Sequence, residues 1–323
     1  MSERKPVYSL SISGRLTLEM HSLNNEGGEG NQVMTRVVAL VTPDGQVHKV
    51  NAISGDMFKH IQAEHYYLLA KEGGLPLCQG CQTFRSDRIL GDADFMKKLK
   101  EEKWSDEEAI NQLLHRCALD DTEGTLIAQG ARSIPRKSVA EFGWVVGIPH
   151  KVRTESYFHV RYAQERGGEE KASQPIFHRP ASSGVYAAVA TFELARIGFN
   201  DISQTYALED DERQRRYEAF LKSVMYTFVE PNGAMRGTQN PHIHAFEGVV
   251  TVSYGVLPAP TISPLADDYV SQVEGIAQAL DPTGQTLAVH RFQNMAEFAR
   301  IMQDLVEHTR PYKLFAGREN GDE

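Results

Sequence analysis

Residues 8–21, YSLSISGRLTLEMH, alternate in character: Leu10, Ile12, Leu16 and Leu18 are separated by serine, threonine and charged side chains. An extended chain turns successive side chains to opposite faces, so this period of two predicts a half-buried strand. Further along, residues 33–50, VMTRVVALVTPDGQVHKV, stay β-rich, and Asp44-Gly45 supplies a hairpin turn. The period then changes. In residues 52–70, AISGDMFKHIQAEHYYLLA, the side chains of Met57, Ile61, His65, Leu68 and Leu69 fall near one helical face, and Ser54-Gly55 offers a helix start. Residues 73–135 mix short helices and loops, and strand character returns at 139–149, 156–163 and 176–199. A charged helix is predicted over roughly 207–228, then a strand over 246–256, a Pro-rich connection and a C-terminal helix around 293–309. This order predicts an α+β fold with a ferredoxin-like core carrying insertions.

Composition bounds the function only loosely. With 41% hydrophobic and 24% charged residues the 323-residue chain is ordinary globular protein. No apolar run approaches the roughly 20 residues of a membrane helix. MSERKPVYSL has no long apolar stretch after it, so no membrane partner and a cytoplasmic location are expected. The net charge of −9 argues mildly against nucleic acid, yet the acidic excess is partly segregated into Glu101-Glu102, Glu107-Glu108, Glu209 to Glu212 and the tail Glu319 to Glu323. Net charge is a global sum and a groove is local, so it does not decide the question.

Four segments carry chemistry. In LNNEGGEGNQVMTR (23–36), glycines permit close backbone approach, and Asn24, Asn25, Asn31 and Arg36 are candidate phosphate contacts; the plainer alternative is a mobile surface loop. Ser54-Gly55 at a helix start, with Lys59 and His60 one turn in, suits a phosphate, although an ordinary N-cap with a solvated lysine reads equally well. Three cysteines, an odd number in a chain expected to be cytoplasmic, argue against a disulfide framework, and their falling within 40 residues makes a zinc site attractive. Cys78-x-x-Cys81 with His115-x-Cys117 supplies four ligands, and His65 or a water could stand in for His115. Residues 153–200 read as two strands joined by a long polar hairpin tip, 164–178. Phe158, Phe177 and Tyr186, with His178 and with Arg153, Arg161 and Arg179, give the basic and aromatic mix that suits single-stranded nucleic acid, unless the aromatics are core. His242-x-His244 could bind metal but reads more simply as a strand edge.

Taken in order, SISGRLTLEMHSLNNEGGEGN, AISGDMFKHIQAEH, CALDDTEGTLI, RSIPRKSVAEFGWVVGIP, TESYFHVRY, QPIFHRPASSGVYAAVATFELARIGFND and GAMRGTQNPH resemble the DevR-type family of the RAMP superfamily. This is the backbone subunit of type I CRISPR (Cascade) interference complexes. The resemblance spans about residues 7 to 270. It implies one RRM-like palm over residues 1–323, a finger-like insertion over 71–135 and a protruding β-hairpin thumb tipped at 164–178. It implies copies polymerising along guide crRNA beside other Cascade subunits, with target DNA read by pairing to the guide. It also implies that Ser54, Gly55, Lys59, His60, Arg236 and the loop around Asn24, Asn25 and Asn31 hold the guide, and that zinc stiffens the finger. It implies, further, a binding module and not an enzyme. The alternative is a metal-dependent ribonuclease acting through Asp56, His60 or His242 and His244. A transcription factor ranks last, since no helix-turn-helix pattern is present.

Overall fold

The computed structural model describes residues 4–160 and 176–315. The strand foreseen in residues 8–21 is β1 (Ser9–His21), and it lies inside a ten-stranded sheet. The other long strands are β2 (Val37–Val41), β3 (Val47–Ile53), β4 (Val145–Val160), β5 (Ile176–Phe192), β6 (His242–Ser253) and β7 (Leu287–Phe292). Their order across the sheet is β7-β6-β1-β5-β4-β3-β2, every junction antiparallel. Ile12 pairs with Ala190 on one side and Val250 on the other, and Leu16 with Tyr186 and Phe246. The mixed α+β class expected from the sequence holds, with seven α-helices among the described residues.

Three helices, α1 (Gly55–Glu72), α5 (Asp210–Val229) and α7 (Met295–His308), pack over the face that carries Leu10, Ile12, Leu16 and Leu18. Ser54 caps α1 by accepting from the Met57 N–H at 3.2 Å, and Gly73 ends it by donating to the Leu69 carbonyl. The buried face of α1 is rotated from the one the sequence suggested: Phe58, Ile61, Gln62, His65 and Tyr66 point inward, and Leu68 is exposed. Gln62 can turn inward because its Nε2 donates to the Ser223 Oγ of α5 at 2.8 Å.

The second face of β1 is also buried, against the expectation of a half-exposed strand. The Pro-rich connection lies on it: Ser11 Oγ donates to the Pro260 carbonyl, and Arg15 to the Pro264 and Ala266 carbonyls. That connection also holds a helix the sequence did not reveal, α6 (Tyr269–Leu280), followed by β7. The segment 23–36 is a pair of short antiparallel strands, Asn25–Glu29 and Gln32–Thr35, and not a loop.

Between α1 and β4 lies the insertion, with α2 (Ala93–Glu101), α3 (Asp106–Arg116), α4 (Ala118–Glu123) and a hairpin, Thr125–Gln129 with Arg132–Arg136. A buried ion network fastens it to helix α5 of the layer over the sheet. Asp121 accepts from Arg136 at 2.7 Å and from Arg216 of α5 at 3.0 Å, all three side chains having no exposed surface. β4 and β5 form a long hairpin from the sheet; its expected tip, 164–178, lies outside the described residues except for 176–178. No described helix is long and apolar enough to cross a membrane.

Candidate nucleic-acid interface and metal centre

Antiparallel pairing brings the end of β1, the outer part of the β4–β5 hairpin and the start of β6 to one end of the sheet. The segments singled out in the sequence meet there. Asn24 Oδ1 accepts from the Ser54 N–H at 2.7 Å, locking the 23–36 hairpin to the start of α1. The Asn31 carbonyl accepts from the His178 N–H at 2.9 Å, which fixes the same hairpin to β5. The 233–241 loop joins through Ala234 N–H to the Leu23 carbonyl at 3.0 Å, and through Gln239 Nε2 to the Pro180 carbonyl at 2.9 Å. Gly55 is pressed against the Phe142 carbonyl so closely that a Cβ would clash.

Beneath this junction sits a buried polar relay. Tyr186 donates its hydroxyl hydrogen to Asn51 Oδ1 at 2.8 Å, so it accepts from His21 Nε2–H at 2.9 Å. Burial holds the imidazole neutral by pushing its pKa down to about 4.

The foreseen residues thus divide into two groups. Asn24, Ser54 and Gly55 are framework: their polar groups are spent on one another or on packing. Asn25 Oδ1 accepts from Ser22 Oγ at 2.7 Å, also a local brace. The second group faces outward. Lys59 is half-buried and His60 exposed on the first turns of α1. Arg36 pairs with Glu26 and lies over the Trp144 ring at 5.4 Å. Arg153 pairs with Glu155, Arg179 reaches Thr238, and Arg236 pairs with Glu230 at 2.6 Å. Phe177 and His178 are half-buried on the hairpin, with the His178 ring edge-on to Phe158 at 5.6 Å. Phe158 is 59% exposed, whereas Tyr186 is core.

The insertion contains a second centre. Ligand atoms of Cys78, Cys81, Cys117 and Asp120 lie within 4.8 Å of one another, all buried. Asp120 Oδ2 is 3.3 Å from Cys78 Sγ and 3.5 Å from Cys81 Sγ. A tetrahedral zinc with ligands at about 2.0–2.3 Å needs ligand edges of about 3.3–3.8 Å, so the donor set fits. The Cys81 N–H points at Cys78 Sγ and the Asp120 N–H at Cys117 Sγ, an arrangement that stabilises thiolates. Burial raises the Asp120 carboxyl well above the usual range, and Asp120 Oδ1 has no hydrogen-bond partner among the described residues. Such a group is stabilised by a cation placed among its neighbours. Asp92 accepts the Gln79 N–H and a bidentate Arg116, bracing the Cys78–Cys81 turn from outside.

The fourth donor corrects the sequence expectation. His115 sits exposed on the last turn of α3, outside the group, and His65 is engaged with the Glu230 carbonyl at 2.9 Å. Asp120 takes the place because Cys117 caps α4 and sets Asp120 on its first turn.

Residues 12–274 match the family described as CRISPR-associated negative auto-regulator DevR/Csa2. The chain belongs to this family. A DevR/Csa2 relative, "CRISPR-associated protein Cas7/Cst2/DevR" of Methanocaldococcus jannaschii, is 25% identical over 289 residues, covering 83% of this chain and 88% of that protein. Two solved structures share the fold. One is described as a "CRISPR RNA-guided surveillance complex, pre-nicking", with TM-score 0.53, 11% identity and coverage of 93% of this chain and 99% of that one. The other, a "CRISPR RNA-guided surveillance complex", has TM-score 0.51, 12% identity and coverage of 93% and 98%.

Within the DevR/Csa2 fold, several outward residues escaped the sequence. Trp144 is 43% exposed beneath Arg36, and Tyr157 contacts the exposed Met20 at the base of the hairpin. Arg85 and Arg88 face α1 from the insertion, lining a cavity with Lys59 and His60. The Cys117-x-x-Asp120 spacing, a copy of Cys78-x-x-Cys81, is the sequence signal that points to Asp120 as the fourth member of the group.

Proposed function

We propose that the chain binds guide crRNA as the repeating backbone subunit of a type I CRISPR effector complex. The sheet with α1 and α5 acts as an RRM-like palm, residues 71–135 as the finger and the β4–β5 hairpin as the thumb. The observation that carries this reading is the convergence of the 23–36 hairpin, the α1 start, the base of the thumb and the 233–241 loop at one end of the sheet. Copies polymerise along the guide beside other Cascade subunits and present it for pairing with target DNA in the cytoplasm. Exposed aromatics beside arginines, as at Trp144 with Arg36, suit unpaired bases. The knot of Cys78, Cys81, Cys117 and Asp120 takes zinc in a structural role. Its four donors are buried and close the coordination shell, whereas a hydrolytic zinc keeps one position open. That centre is thus read as structural and not hydrolytic, and the subunit as a binding module.

Photo-crosslinking of bound RNA followed by peptide mapping tests the reading. Crosslinks are expected in residues 20–36, 54–60, 153–159, 177–179 and 233–241. Crosslinks confined to α5 and α7, on the helical layer, would contradict it.

A further inference from the structure

We propose that Trp144 is a stacking platform for one unpaired base and that Arg36 is its placeholder, leaving the indole for a backbone phosphate when a strand binds. This rests on the guide-RNA reading and adds how that site is held ready and how it opens.

Trp144 is set in place from both sides. The Gly143 N–H donates to the Val189 carbonyl at 2.9 Å, and Val145, at the head of β4, pairs with Ile53 of β3. Gly143 has no room for a side chain, since a Cβ would stand 2.6 Å from Val189 Cγ2. The backbone beside the indole is therefore fixed, yet the indole itself is 43% exposed. The other tryptophan makes the contrast. Trp104 packs against the hydrophobic core, edge-on to Phe95, and donates from Nε1 to Glu102 at 2.8 Å. Trp144 is not part of that core.

The Arg36 backbone is equally fixed. Its N–H donates to the Asn24 carbonyl at 3.2 Å, and its carbonyl accepts from the Ala52 N–H at 3.0 Å and from Asn51 Nδ2 at 2.9 Å. Only the side chain is left to turn. Its guanidinium lies 5.4 Å from the centre of the Trp144 ring and pairs with Glu26, the two side chains being 36% and 37% exposed. No base fits between guanidinium and ring at that spacing, so the cation must leave this face before a base can stack on it. A π face that holds a cation also holds a nucleobase. An ion pair this exposed contributes little. A phosphate takes a guanidinium through two parallel charge-assisted hydrogen bonds. A single strand offers both partners at once: its phosphate draws Arg36 from Glu26, and its base takes the vacated indole. Every base has a π face, so the exchange ignores sequence, as a subunit carrying guides of any sequence requires.

The optical test is made in Trp104→Phe, where Trp144 is the only tryptophan left. Single-stranded RNA should quench Trp144 emission, and a saturating strand of the same length without bases should not. Affinities are measured in the wild-type background. Trp144→Leu should weaken RNA binding about tenfold or more, Trp144→Tyr should restore most of it, and neither should alter the salt slope. Arg36→Ala should open the free indole to acrylamide and lower the salt slope by about one. Glu26→Gln should tighten RNA binding about threefold, the scale of an exposed ion pair, and do nothing in the Arg36→Ala background. Bound RNA with unchanged Trp144 emission, equal quenching by the strand without bases, or full affinity in Trp144→Leu overturns the platform and leaves the guide reading standing. A Glu26→Gln effect that is absent, or that survives Arg36→Ala, overturns the placeholder. No binding of any RNA overturns the guide reading itself.

Discussion

Around Phe228, under the sheet, the interior is hydrocarbon: Phe246 stacks on it at 4.8 Å, and Phe58 and Phe298 close around it at 5.8 and 5.4 Å. Around Asp121 and Asp120, in the insertion, the interior is ionic: two buried arginines meet one carboxylate, and three thiols meet the other. The first region gains its stability from apolar area removed from water and needs nothing but the chain. The second removes charges from water, which costs several kcal/mol per ion unless each is paired. The sheet is therefore expected to stand alone as a platform, while the insertion depends on a metal ion and on a complete ion network. The two regions should therefore fail under different insults.

The largest effect should come from the metal. Cys78→Ser with Cys81→Ser removes a contribution of about 10 kcal/mol or more if zinc is structural here. Elemental analysis of the wild type should find one bound ion per chain and the variant none. In the variant, amides of residues 73–136 should exchange rapidly while those of β1, β5 and β6 stay protected. Uniform loss of protection would erase the contrast between the two regions.

Next is Asp121→Ala, which leaves Arg136 and Arg216 buried without their shared partner. It should cost about 3–5 kcal/mol in urea unfolding. A cost below about 1 kcal/mol would mean that the network is not what fastens the insertion.

A smaller effect is readable from pH. His21 titrates near 6.5 when unfolded and about 4 when folded. The unfolded chain takes up this proton first, so stability is complete above about pH 6.5 and falls by about 3 kcal/mol as pH drops to about 4. His21→Gln should flatten that slope in denaturant titrations. A slope unchanged by the substitution would assign the acid sensitivity elsewhere.

The smallest effect is at the groove. Lys59→Ala with Arg236→Ala should weaken RNA binding and reduce the salt slope by about two, since each removes one phosphate contact. Arg236 must exchange its Glu230 partner for phosphate, which limits its share. Identical salt slopes would place the groove elsewhere.

The sequence made some of these elements legible and hid others for physical reasons. The alternation of Leu10, Ile12, Leu16 and Leu18 marks β1, because a period of two belongs to an extended chain whichever neighbours it has. The same pattern could not show that the serine face is buried as well, since its cover comes from Pro260 and Pro264, about 250 residues away. Helix α6 follows a Pro-rich stretch and has no side-chain cap, so its start carries no local signal. Asn24 was marked by its glycine-rich setting, but its partner Ser54 lies 30 residues on, and only the fold shows that the asparagine is a brace. The cysteine cluster marked a candidate metal site, and the structure gathers the three cysteines; histidine drew attention as the familiar fourth donor. At the end of α3 the chain turns His115 to solvent, while α4 starts at Cys117 and carries Asp120 inward.

The central claim, a backbone subunit wrapped on guide RNA, is tested most directly by expressing the protein with its guide RNA and partner subunits and purifying the product. The account predicts a large particle containing RNA that nuclease digests at regular intervals, one interval per copy of the chain. A monomer free of RNA, with the partners present, would contradict it.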